Sequence, residues 1–94
     1  MPTFNLSKEA RVILKEASND PSGVVMLVRY MGGTSLQTNG KSLITEENSR
    51  RQTALWEDGV RQLVSENLLI ERGYKGEYFE LTKSGYEVAE NISL

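Results

Sequence analysis

The sequence predicts an α+β fold in which helices pack against a short antiparallel sheet. Three observations lead there. Apolar residues recur at helical spacing near the start, in the middle and at the end of the chain. Between them lie short β-branched or alternating runs, punctuated by Asn39-Gly40 and by Gly73 to Gly76. At 94 residues, the whole length, 1–94, reads as one domain.

Asn5 or Ser7 is suited to cap a first helix. Leu6, Ala10, Ile13, Leu14 and Ala17 follow at helical spacing, and Ser18-Asn19 marks the expected end. Asp20-Pro21 is a second start signal, an N-cap residue followed by proline at the first helical position. Val24, Leu27, Val28 and Met31 continue it at i, i+3, i+4 and i+7, so residues 22–31 read as a short helix closed by Gly32-Gly33. The rival reading is a buried strand, because Val24 to Val28 is short and rich in β-branched residues.

Thr34 to Ile44 contains Asn39-Gly40, the strongest two-residue hairpin signal. Thr45 or Asn48 would cap a long helix reaching about Asn67. Its apolar stripe is Ala54, Leu55, Val60, Leu63, Val64 and Leu68, with Trp56 on the shoulder. Gly59 inside that helix costs about 1 kcal/mol against alanine, which suggests close packing there. Leu68 to Gly73 and Glu77 to Leu81 read as two strands joined at Tyr74-Lys75-Gly76. Thr82 would cap a closing helix through Asn91, with Tyr86, Ala89 and Ile92 inward.

The stretch from Leu63 to Gly85 resembles the second half of a winged helix-turn-helix domain. The matching residues are Leu63-Val64-Ser65-Glu66-Asn67-Leu68-Leu69-Ile70-Glu71-Arg72, the turn Gly73 to Gly76, and Tyr78-Phe79-Glu80-Leu81-Thr82-Lys83-Ser84-Gly85. In bacterial regulators of the MarR and PadR type a helix ends in a comparable leucine-isoleucine run. A two-stranded wing follows, and Leu-Thr-x-x-Gly opens the next helix. The resemblance implies a small winged-helix-like fold, DNA binding and transcription regulation in a bacterial cytoplasm. Across the Gly32-Gly33, Gln37, Gly40-Lys41 and Trp56 regions the chain also looks like a small, widespread bacterial winged-helix-like module, often attached to larger proteins. Two departures stand out. The loop Tyr74-Lys75-Gly76-Glu77 lacks the Asp and Arg usual near a MarR wing tip, and Thr34–Ile44 occupies the place of the helix that normally precedes the recognition helix.

Composition narrows the function. The chain has no cysteine and no histidine, which removes thiolate chemistry, the commonest general base and the commonest transition-metal ligand. The expectation is therefore a binding module, not an enzyme, without cofactor or metal. Met1 to Ser7 has no cationic start or apolar core of a signal peptide, and the longest apolar run, Val24 to Val28, has five residues. A cytoplasmic, membrane-free protein is expected. Net charge is −2, unlike the basic balance usual for nucleic-acid binders. Residues 1–41 carry a net +2 and residues 42–94 a net −4.

Gly40-Lys41-Ser42 has the ending of a phosphate-binding loop, but the glycine required five residues earlier is Ser35. Adjacent carboxylates such as Glu46-Glu47 and Glu57-Asp58 point in different directions on a helix and do not converge as an acid–base pair. The nucleic-acid candidates are Arg50 and Arg51, with Thr53, Arg61 and Gln62, on the long helix, and Arg72, Tyr74 and Lys75 at the wing. Against them stand Glu57, Asp58 and Glu66 on the same helix, which read as a solvated face. Trp56 fits the core better than a stacking platform. Duplex DNA is the first expected partner. The alternative is a protein-interaction or oligomerisation module, including a homodimer.

Overall fold

A computed structural model describes residues 5–31, 33–44, 50–73 and 78–92. The order is α1 (Lys8–Asn19), β1 (Val24–Tyr30), β2 (Gly33–Thr38), β3 (Lys41–Ser42), α2 (Arg50–Ser65), β4 (Leu69–Glu71), β5 (Tyr78–Leu81) and α3 (Lys83–Glu90). The strands form one antiparallel sheet in the order β3-β2-β1-β5-β4. This is the expected small α+β domain, with β4 and β5 as its terminal hairpin. Among the described residues no helix is long and apolar enough to cross a membrane.

Within the stretch 22–31, Val24–Tyr30 is a strand, the rival reading, not the helix its spacing suggested. Asp20 to Gly23 forms a β-turn in which the Gly23 amide donates to the Asp20 carbonyl at 3.1 Å. The Asp20 carboxylate also accepts from the Ser22 and Val24 amides at 2.9 and 3.2 Å. Asp at the first position, Pro at the second and Gly at the fourth is turn chemistry as much as helix-start chemistry. Gly23, with φ +63°, settles which is used. The β-branched run then alternates: Val25 and Leu27 are buried, Met26 is exposed, and Met31 is fully exposed.

Asn39 and Gly40 have φ of 54° and 71°, the left-handed pair that an Asn-Gly hairpin turn requires. That turn is tied to α1. Lys41 Nζ donates to Glu16 Oε2 at 2.9 Å and Asn39 Nδ2 to Glu16 Oε1 at 3.3 Å. The Lys41 hydrogen bond, helped by Asn39, holds the Glu16 carboxyl below its ordinary pKa against the opposing effect of burial. Such a group adds stability above its unfolded pKa and loses it as pH falls through the depressed folded value. Glu16→Gln should therefore cost up to about 1 kcal/mol at neutral pH, the range of a largely solvated pair. The difference from the parent should vanish on acidification below the ordinary glutamate range. Denaturant midpoints at both pH values check it; an equal loss at both would assign Glu16 a packing role.

Helix α2 meets α1 along Gly59, Val60 and Leu63. A Cβ on Gly59 would lie 3.0 Å from the Ala10 amide nitrogen and 3.2 Å from Ile13 Cδ1, so the glycine does mark a close helix crossing. The expected stripe needs correction at its start. Ala54 and Leu55 face solvent, Leu55 being 42% exposed. Both lie more than 100° around the helix from Val60. Trp56 is half-buried, at the edge of a groove with Lys8, Val12, Leu43 and Gln52. The proposed caps Thr45 and Asn48 lie outside the described residues.

The end of α2 is a Schellman motif. Asn67 has φ 62°; its amide donates to Val64 at 3.0 Å, and that of Leu68 to Leu63 at 2.8 Å. Thr82 caps α3, its hydroxyl accepting from the Gly85 amide at 3.0 Å and donating to the Asn67 carbonyl at 2.7 Å. One hydroxyl thus joins two helix ends, and an aspartate there would have no proton to give Asn67. On α3, Gly85 and Ala89 face the core, and Ile92 packs against it. Tyr86, expected inward, is 38% exposed and lies over Gly23.

Candidate nucleic-acid interface

The sheet has two unlike faces, and this divides the candidate arginines. One face carries Val25, Leu27, Leu36, Leu69, Phe79 and Leu81, buried against apolar residues of all three helices. Arg29 continues the Val25–Leu27 alternation, so it stands on this side, where β1 runs out beyond the core. It meets α2 there, its Nε donating to Glu57 Oε2 at 3.0 Å.

Glu57 is flanked on α2 by arginines. Arg50 and Arg61, seven residues before and four after, share its side of the helix. Arg29, Thr34, Arg50, Thr53 and Glu57 line a hollow of about 560 Å³ with Tyr30, Met31 and Gly33. A second hollow, of about 380 Å³, continues past Arg29 and Glu57 to Val60, Arg61, Val64 and Phe79. Arg51 is exposed one row further round, with Leu55 and Asp58. Arg61 Nη1 donates to Asp58 Oδ1 at 2.7 Å. Among the described residues, neither Arg50 nor Arg51 has a carboxylate partner.

The structure brings Arg50 and Arg61 to the Glu57 side of α2, sets Arg51 about 120° round the helix from Glu57, and leaves Arg72 elsewhere. The Arg72 amide donates to the Tyr78 carbonyl at 2.9 Å, which sets Arg72 in the row Tyr78–Met26–Gln37–Ser42 on the other sheet face. Its Nε lies 3.5 Å from Glu80 Oε1. Tyr74 and Lys75 lie outside the described residues. Gln62 also leaves the candidate surface. Its side chain accepts from the Ser7 amide and donates to the Asn5 carbonyl, both at 2.9 Å, pinning the segment that enters α1.

Sequence reasoning missed Arg29. From sequence it has no assigned role, whereas strand alternation puts it on the helix-bearing side. The signal was a cation at the third place of the series Val25, Leu27, Arg29, just where the apolar pattern stops.

Compared with protein-family models, curated proteins and solved structures, the chain matches none.

Proposed function

We propose that the chain is a nucleic-acid-binding module of winged-helix type, of the kind used in transcription regulation, and that it meets duplex DNA through the flank of α2. The observation that supports this is the gathering of Arg29, Arg50 and Arg61 around Glu57, with Arg51 exposed on the adjoining row of α2 beside Asp58. The protein as a whole carries −2, and four of its eleven cations stand on α2 and at the end of β1. Arginine forks bind phosphate oxygens in bidentate fashion. Arg72 takes no part in this contact, since it points to the opposite sheet face.

Titration of a mixed-sequence duplex at about 50 and 200 mM salt tests it. Binding on the order of 10⁻⁴ to 10⁻⁶ M should weaken steeply with salt. Arg51→Ala should weaken binding to every sequence alike and lower the salt slope by about 1. Asp58→Asn releases Arg61 and should tighten binding, whereas Arg72→Ala should change little. If neither the parent nor Asp58→Asn shows duplex affinity at the lower salt, DNA is not the partner.

One observation favours a second reading, an oligomerisation module. Met26, Tyr30, Ile70 and Tyr78 are exposed on the sheet face opposite the helices. Apolar patches of this kind mark interaction surfaces. Arg72 and Glu80 lie on the same face, where they pair with one another at 3.5 Å. Sedimentation equilibrium of the parent against Met26→Asp decides this: a dimer lost in the variant supports it, and a parent that stays monomeric rejects it.

A further inference from the structure

We infer that the Arg29–Arg50 hollow is a seat for one phosphoryl group, with Glu57 acting as a positioning residue, not a competitor. The inference rests on the nucleic-acid reading for its macromolecular ligand and names the place where a single backbone phosphate docks.

Guanidinium groups have one Nε and two Nη groups in a plane. Glu57 engages Arg29 only through Nε, at 3.0 Å. Among the described residues neither Nη group of Arg29 has a partner. The carboxylate therefore fixes the plane of the guanidinium and leaves its two outer donors paired in the geometry that suits two phosphate oxygens. Arg29 stands near the end of a strand and Glu57 on a packed helix, so the bond joins two regular elements. Arg50 lines the same hollow from the preceding turns of α2, and its side chain supplies a second cation. Thr34, which pairs with Arg29 across β1 and β2, and Thr53, one turn after Arg50, add hydroxyl donors to the lining. The one carboxylate among these lining residues is the one already turned toward Nε. At about 560 Å³, the hollow is large enough for a phosphate with its sugar and too open to enclose a larger ligand.

The seat makes a prediction opposite in sign to simple charge counting. Neutralising Glu57 raises the net charge of the flank, as neutralising Asp58 does. A purely coulombic surface would bind duplex more tightly after either change. A braced fork would not, because Glu57→Gln removes the charge-assisted bond that orients Arg29.

The test is duplex titration of the full chain carrying Glu57→Gln, Asp58→Asn or Arg29→Lys, with circular dichroism melts to show that each is folded. The second arm uses inorganic phosphate and follows the Arg29 Nε–H resonance by NMR. Expected are about tenfold weaker duplex binding for Glu57→Gln and Arg29→Lys, with Asp58→Asn tighter than the parent. Arg29→Lys keeps the charge, so its salt slope should match the parent's. Millimolar phosphate should shift the Arg29 resonance in the parent and leave it unmoved in Glu57→Gln. Tighter duplex binding by Glu57→Gln, equal to that of Asp58→Asn, would overturn the seat while leaving the α2 flank as the binding surface. A phosphate-induced shift in a protein that binds no duplex would keep the seat, discard DNA, and assign the site to a free phosphorylated compound. An unmoved resonance in the parent overturns the seat.

Discussion

Gly85→Ala should destabilise the protein by about 3 kcal/mol, a large part of the 5–15 kcal/mol typical of a domain. The added Cβ would run into the Leu68 carbonyl and lie 3.0 Å from Leu81 Cδ2. The Leu68 carbonyl, being backbone, has no room to yield. The Leu68 carbonyl accepts from the Thr82 amide at 3.1 Å, and Leu68 itself is wholly buried. The start of α3 is held by the Thr82 hydroxyl, which bonds both the Gly85 amide and the Asn67 carbonyl. Moving α3 away would break these contacts together. Alanine's helix propensity returns only about 1 kcal/mol, so the clash decides the sign. Urea denaturation is the measurement. A variant as stable as the parent would mean that α3 does not sit against the α2–β4 junction as described.

That junction was the most legible part of the sequence. Asn67, Thr82 and Gly85 each have a backbone requirement that few residue types meet: a left-handed helix end, a hydroxyl cap and a close approach. Such positions are readable because the chemistry is local. Asn39-Gly40 was readable for the same reason. Residues 22–31 were not, because Asp20-Pro21 begins a turn or a helix equally well and the run after it is too short for its period to discriminate. The sheet order depended on β1 pairing with β5 across more than fifty residues, and no local pattern encodes that. The candidate site inherited the error. Arg50, Arg51 and Arg61 could be named from α2 alone, but their neighbour Arg29 appears only once β1 is a strand. Arg72 was expected beside α2 because the winged-helix resemblance places wing and recognition helix on one duplex. Its position in the hairpin register turns it to the other face.

Leu63→Ala should cost 2–5 kcal/mol, and Leu55→Ala on the same helix should cost almost nothing. The expected range follows from the usual loss on truncating a buried leucine. Leu63 is wholly enclosed by a core that includes Ala10, Ile13, Leu14, Leu68 and Leu69. It is also the residue whose carbonyl receives the Leu68 amide in the helix-end motif, so a cavity there loosens the side on which β4 begins. In a chain of this length each kcal/mol lowers Tm by about 4–8 °C, and Leu63→Ala should lose at least 8 °C. Leu55 shares its sequence character but not its surroundings: 42% of its surface is open to water and no core side chain closes over it. The pair measures the rotation of α2 about its axis, and with it the side on which the arginines stand. Were the two losses similar, α2 would present a different face to α1, and Arg50, Arg61 and Glu57 would no longer share the flank that meets Arg29. A large loss at Leu63 with none at Leu55 fixes the helix in the orientation that both the DNA surface and the phosphate seat require.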